Sequence, residues 1–346
     1  MNDPLLAEPE RSLLPELLDE HFSSTTALPA LLGRDAAALA PQIWSRALAG
    51  PVRDFVARPG KALRAELLER SYALAGGDGV CPELGSAIVE IIHAGSLIVD
   101  DIEDGSGSRR GGAALHRVHG LPVALNAGNW MYFWALGLIE QLGLPAEREL
   151  LAHQLAHRTL ISCHQGQALD LTANVCDLRQ QELAAVVLAT AQLKTGALMG
   201  FSAALGALLA NAPRSAIEEL AAFGRDIGVA LQMLDDIGGL SSEKRCHKGH
   251  EDLLGARPTW PWAWLAGEMA SERFAALQAL GTEVCRRDVH PEVLARRLRT
   301  ELRGSGRVRV RRYIHAVFAG LADSVRRQDA LTALRALLQR MEKSYG

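Results

Sequence analysis

Apolar residues recur at i, i+3 and i+4 along almost the whole chain, with alanine and leucine dominant. This period predicts helices over roughly 36–57, 62–75, 83–104, 122–141, 147–173, 179–210, 214–240, 259–280 and 289–303, and from 308 to the end. Alternating, strand-like stretches are short. RVRVRRYI at 307–314 is the best of them, and its arginines fit a helix equally well. Breakers fall between the periodic segments: GGDG at 76–79, GSGS at 105–108, GLP at 143–145, NAP at 211–213 and ARP at 256–258. None is long enough for an interdomain linker, and no fixed-period repeat occurs. The expected fold is all-α: one domain over residues 31–346, a bundle of about ten or more helices around a central apolar cavity, preceded by a loose N-terminal arm over residues 1–30.

Composition narrows the possible functions. With 48% hydrophobic residues the chain can bury a core, which excludes a disordered chain. A net charge of −3 gives no general case for a nucleic-acid partner. Cys81, Cys163, Cys176, Cys246 and Cys285 are odd in number and form no CxxC, which suits a reducing cytoplasm. The acidic start, MNDPLLAEPERSLLPELLDEHF, has no basic region of a signal peptide, and no apolar run looks long enough for a membrane span. The expected location is the cytoplasm. Arginine is the default base, so the five lysines, Lys61, Lys194, Lys244, Lys248 and Lys343, each invite a question.

The polar residues that interrupt apolar helices carry the chemistry. In VEIIHAGSLIVDDIEDGSGSRRGG, Asp100, Asp101, Glu103 and Asp104 crowd one helix end. Asp100 and Asp104 share a face, and two carboxylates about 5 Å apart repel by roughly 3 kcal/mol at an effective dielectric near 20. A second apolar helix ends on Asp235 and Asp236, with Gln232 one turn before them. Oxygen ligands of this kind suit Mg²⁺, which takes few carboxylates and completes its shell with water and phosphate oxygens. Bases suited to phosphate surround these acids in sequence: Lys61 and Arg64 in GKALR, Arg109 and Arg110, Lys194 with Thr195 and Gly196 in a helix, and Lys248 in a loop. Lys194 lies in the middle of an apolar helix, where a charge is costly unless paired. His93 shares a helix with Asp101, and Gln167 and Asp170 add polar groups to another apolar segment. Zinc at Cys246, His247 and His250 is disfavoured, because at most two of these meet comfortably and no fourth ligand is in sight. Acids for a hard cation, bases for phosphate and an apolar lining describe a site for a diphosphate with a hydrocarbon tail.

In order and spacing, GKALR, HAGSLIVDDIEDGSGSRRG, GQALD, KT and LQMLDD resemble the trans-isoprenyl diphosphate synthases (polyprenyl synthetases) over about residues 55–262. DIED, HRVHGLP and AGNWMYF are similar to the geranylgeranyl diphosphate synthases of the eukaryotic type. Two departures stand out: Gly239 occupies the place of the third aspartate in the second acid motif, and Arg257 that of a customary lysine. The resemblance implies that Asp100, Asp101, Asp104, Asp235 and Asp236 bind up to three Mg²⁺ ions, for which Mn²⁺ can substitute. It implies that Arg109, Lys194, Thr195, Gln232 and Lys248 hold an allylic diphosphate, and that Lys61, Arg64, His93 and Arg110 hold isopentenyl diphosphate. The implied reaction is ionisation of the allylic substrate, attack by the isopentenyl double bond, and proton loss to pyrophosphate. The catalytic group is then Asp100, Asp101, Asp104, Arg109, Lys194 and Asp235.

In the family an aromatic residue one turn below the first aspartates stops growth at fifteen carbons. Here Ser96 and Gly95 occupy that level, Ile92 the next, and Trp130 is a candidate floor. Geranylgeranyl diphosphate is the expected product; a farnesyl or longer-chain synthase, or a terpene cyclase on the same scaffold, is the alternative. The non-enzyme alternative is the regulatory subunit of a heteromeric synthase, which would be expected to lose its first acid cluster. The family likeness suggests a homodimer.

Overall fold

The computed structural model describes residues 13–22, 41–241, 246–322 and 328–345. Among the described residues it is all-α apart from one two-residue antiparallel pair, Ser108–Arg109 with Gly112–Ala113. The chain divides into two compact units: Met1–Ala65 with Val80–His153, and Glu66–Gly79 with Gln154–Gly346.

In the first unit, helix Glu83–Glu103 packs along helix Leu121–Ile139. Ile88, Ile91, Ile92 and Ile98 are buried on one face of the former; Ala124, Ala127, Met131 and Ala135 are buried on the latter. The crossing is close because neither helix carries a side chain at its centre. A Cβ on Gly95 would stand 2.8 Å from the Gly128 carbonyl oxygen. The N-terminal arm is not loose where it is described: Leu14–His21 is a helix with Leu18 fully buried. Its His21 packs edge-on to Trp130 and Phe22 packs on the same ring at a tilt, while Trp130 stacks on Trp134 at 5.0 Å.

The second unit is built on the paired helices Ala197–Leu209 and Arg214–Ser241. Helices Trp260–Glu268, Ser271–Cys285 and Pro291–Leu302 surround a cluster that includes Trp262, Phe274, Leu277, Val284 and Leu298. Most segments follow the periodicity, with two differences. The segment read as one helix over 259–280 breaks at Met269, whose extended backbone (φ −88°, ψ 144°) ends the first helix. The arginine-rich 307–314 stretch is helical within Ser305–Ala322, as the period from 308 onward predicts, its valines facing opposite sides. Residues Cys246–Leu254 form a helix where a loop is expected.

By length and composition Gln180–Leu209 could cross a membrane, which corrects the expectation that no segment is long enough. Every residue from Leu198 to Leu208 is nevertheless buried within the second unit, as in a core helix.

Candidate active site

The first acid cluster sits where helix Glu83–Glu103 stops. Asp104 caps the helix and Gly105 turns left-handed (φ 64°). Ser106 N–H then donates to the Asp101 carbonyl at 2.9 Å, and Gly105 N–H to that of Ile102 at 3.2 Å. This pair of bonds is a Schellman closure, which needs the glycine. Four acids at a helix C-terminus oppose the helix dipole, so the placement is locally unfavourable without positive charge nearby.

A tight hairpin supplies some of that charge. Arg110 and Gly111 lie between the paired residues, and both have positive φ (52° and 77°), as a type I′ turn requires. Arginine in that conformation is strained. Arg109 Nε donates to Asp101 Oδ1 at 2.7 Å, and its terminal nitrogen lies 3.4 Å from Asp100 Oδ2. Asp101 is buried, whereas Asp100 and Asp104 are only partly so. Burial raises the Asp101 carboxyl, an effect that Arg109 opposes but does not overcome. Its Oδ2 is buried without a hydrogen-bond partner. Asp101 therefore holds Arg109. Asp100 and Asp104 are the more accessible aspartates of the cluster.

Arg58, which the sequence reading passed over, braces the hairpin. It donates to the Ala113 carbonyl at 2.7 Å and the Arg109 carbonyl at 3.2 Å, while Asp54 holds it from one turn earlier. Its i, i+4 spacing from Asp54 was the only local signal. Arg110 lies over the Phe55 ring at 5.3 Å and against Gly60, in the glycine–lysine motif. Arg64 donates to His93 Nε2 at 3.0 Å. Arginine has no acceptor, so Nε2 carries the lone pair and the ring proton is on Nδ1. Burial, then Arg64, Arg110 and Arg109, hold the His93 pKa well below its ordinary value, and the imidazole is neutral. Burial and the surrounding guanidiniums of Arg64, Arg109 and Arg58 also lower Arg110, against the pull of Glu90. Lys61 is exposed beside this group in sequence. Of the tunnel candidates, Gly95 faces Gly128 and Ile92 is buried, while Ser96 Oγ bonds back to the His93 carbonyl at 2.8 Å. Trp130 belongs to the aromatic cluster with His21.

In the second unit, residues Gln192–Gly196 form a π-helical turn, so the helix widens where Lys194, Thr195 and Gly196 stand. Lys194 does have the partner its apolar setting demands: its Nζ donates to Asp170 Oδ2 at 2.7 Å. Gly166, one turn before Asp170, lets the helices touch, since a Cβ there would meet the Lys194 nitrogen at 2.6 Å. Arg257 lies 3.8 Å from the same Asp170 oxygen and 3.7 Å from Asp252.

Thr195 Oγ1 donates to Gln232 Oε1, and Gln232 Nε2 to Asp236 Oδ1, each at 2.8 Å. The Trp260 N–H donates to Asp236 Oδ2 at 2.8 Å. Burial raises the Asp236 carboxyl well above its ordinary value, against the effect of those two donors. Both of its oxygens are engaged within the protein, so it fixes Gln232 and the start of helix Trp260–Glu268. Each oxygen keeps a second lone pair, so Asp236 stays a candidate ligand beside Asp235. Gly239 is explained by packing. A Cβ on Gly249 would lie 2.1 Å from the Gly239 carbonyl oxygen, so two helix backbones touch where a third aspartate would otherwise stand. Lys248 is in that second helix, not in a loop, and its side chain lies outside the described residues.

Among the described residues no three acidic, histidine or cysteine side chains converge closely enough to hold a metal unaided. The donor set fits a hard cation that takes one or two carboxylates and leaves positions for water and phosphate oxygens.

The polyprenyl synthetase family profile matches residues 45–294, and the chain belongs to that family. A geranylgeranyl diphosphate synthase of Sulfolobus acidocaldarius is 34% identical over 189 residues, 54% of this chain and 56% of that protein. A (2E,6E)-farnesyl diphosphate synthase of Mycobacterium tuberculosis is 35% identical over 238 residues, 67% of this chain and 64% of that one. The match thus spans little more than half the length of the first relative and under two thirds of the second. The polyprenyl synthase of Caulobacter crescentus, solved with calcium and isoprenyl diphosphate, shares the fold with a TM-score of 0.70 at 24% identity, covering 95% of this chain and 97% of that one.

Proposed function

We propose that the protein is a trans-prenyltransferase that joins isopentenyl diphosphate head-to-tail to an allylic diphosphate, with geranylgeranyl diphosphate as its main product. The observation that carries this is the first unit's cationic group. Arg110 is lowered by burial and by three neighbouring guanidiniums, and His93 stays neutral beside Arg64. Such crowding is unfavourable without an anion to share it, and a diphosphate has the charge and the acceptor oxygens to do so. Lys61, Arg64, His93 and Arg110 are assigned to isopentenyl diphosphate. Arg109, Lys194, Thr195, Gln232 and Lys248 are assigned to the allylic diphosphate.

Relatives in the family use divalent metal ions. Asp100, Asp101, Asp104, Asp235 and Asp236 are assigned to Mg²⁺, or Mn²⁺ in its place, which would supply charge neutralisation for the departing diphosphate. Lys194 and Arg109 add fixed positive charge from the protein. The isopentenyl bases orient the second substrate, and positioning of this kind supplies a large part of such accelerations. The intact isopentenyl set favours the two-substrate reaction over cyclisation. The exposed stripe Leu121, Leu125 and Phe133, with Phe133 72% exposed, supports a homodimer.

The test is an assay of purified protein with Mg²⁺, isopentenyl diphosphate and each allylic primer in turn, products being sized by chromatography. Prenyl diphosphates longer than the primer are expected; hydrocarbon released from an allylic diphosphate alone would show a cyclase instead.

A further inference from the structure

Two cysteines outside the phosphate-binding residues meet in the second unit. Cys176 lies in the turn after helix Ala146–Thr172, and Cys285 is the last residue of helix Ser271–Cys285. Both are half-buried thiols at the margin of the Trp262 and Phe274 cluster. Cys176 Sγ is 3.8 Å from the Gln278 carbonyl oxygen and 3.4 Å from where a Cβ on Gly281 would stand. Gln278, Gly281 and Cys285 follow one another at helical spacing, so they share a face. The Cys176 sulfur therefore lies over the final turns of that face, beside Cys285. Cys285 Sγ donates to the Leu253 carbonyl at 3.7 Å, and burial followed by the neighbouring Cys176 pushes the Cys285 thiol up.

We propose that Cys176 and Cys285 form a reversible disulfide when exposed to an excess of a low-molecular-weight disulfide. The thiolate of Cys176 attacks one sulfur of the reagent and releases a small thiol. Cys285 loses its proton and displaces the second small thiol from the mixed disulfide. Two protein thiols are thereby oxidised and the reagent's S–S bond is reduced, with no other reactant required.

The bond would staple a turn that the fold already holds. Val175 N–H donates to the Ala256 carbonyl at 2.8 Å, and Gln278 Nε2 donates to the Val175 and Leu178 carbonyls at 2.7 and 2.9 Å. Ala256 precedes Arg257, so the stapled turn is tied to the segment carrying that base. The cross-link closes a loop of about a hundred residues, and loops of that length restrict the unfolded chain most.

The experiment incubates the whole protein with oxidised glutathione, blocks free thiols, and reads intact mass, cross-linked peptides and thermal unfolding. A Cys176–Cys285 peptide is expected, with a mass loss equal to two hydrogens and a melting temperature raised by about 5 °C, all reversed by dithiothreitol. Cys176→Ser and Cys285→Ser should each abolish the peptide and the shift, and Cys285→Ala repeats the test if the serine variant does not fold. Separate glutathione adducts on both cysteines, cross-links from either to Cys81, Cys163 or Cys246, or an unchanged melt would overturn the proposal.

Discussion

Arg109 donates to Asp101 through its Nε at 2.7 Å, and the Asp101 side chain is 1% exposed. The adjacent aspartates of the first motif therefore differ: Asp101 is buried against an arginine, while Asp100 is only partly buried. Removing Asp101 leaves the Arg109 charge largely buried and without its main partner. Asp101→Ala should cost about 3 kcal/mol of stability in urea unfolding. Asp104→Ala, at a partly exposed cap, should cost less than about 1 kcal/mol. Equal losses in the two variants would refute this division.

Catalysis should not follow that division. Asp100→Ala and Asp104→Ala are expected to lower kcat by about 100-fold or more while leaving the far-ultraviolet helical signal intact. EDTA should abolish turnover, and added Mg²⁺ or Mn²⁺ should restore it. Full activity in excess EDTA would remove the metal from the reading.

The sequence made the helices and both acid clusters legible because periodicity and like-charge crowding are local properties. It also marked Lys194 as needing a partner, and the π-helical turn Gln192–Gly196 falls at that lysine. The rest depends on pairs distant in sequence. Nothing near Asp236 announces the Trp260 N–H that occupies one of its oxygens, and nothing near Gly95 announces Gly128. Lys248 was misplaced because lysine, glycine and histidine in a short segment read as a loop. The helix there is held from outside: His250 lies 3.2 Å from Glu292, which also pairs with Arg299, and Arg299 donates to the Leu240 carbonyl.

His93 yields a pH prediction. Its folded pKa lies well below 6.5 because burial and three arginines disfavour the imidazolium. The unfolded state thus binds the extra proton first, and stability is fully present above about pH 6.5 and falls as pH drops through the folded value. NMR should find this ring neutral at pH 6. His93→Gln should flatten the stability profile in that window; a ring that titrates near 6.5 contradicts the Arg64 contact.

Gly239 and Gly249 make a contact that a side chain cannot share. Gly249→Ala would place a methyl carbon 2.1 Å from the Gly239 carbonyl oxygen, and Gly239→Asp a Cβ 3.1 Å from the Gly249 Cα. Both changes should lower stability, by about 1–3 kcal/mol each, through overpacking. Restoring an aspartate at 239 should therefore not tighten Mg²⁺ binding measured by calorimetry. Tighter binding without loss of stability would show that the third carboxylate position is open after all.

Product length tests the helix below Asp100. Because Gly95 is closed against the Gly128 backbone, a growing tail cannot pass between those two helices at that level. Ser96, one turn below Asp100, lies next to Gly95 and is only partly buried, with its hydroxyl turned back to the His93 carbonyl. A small side chain there leaves space at about 6 Å below the aspartate, the level at which family resemblance places the fifteen-carbon stop. Ser96→Phe should therefore shift the main product from geranylgeranyl to farnesyl diphosphate, with the KM for isopentenyl diphosphate little changed. Gly95→Phe should instead fail to fold, since its ring would have to displace a helix. Chromatography of both reactions separates these outcomes. Farnesyl diphosphate as the wild-type end product, or an unchanged length in Ser96→Phe, would place the tail along another face and leave the condensation itself standing.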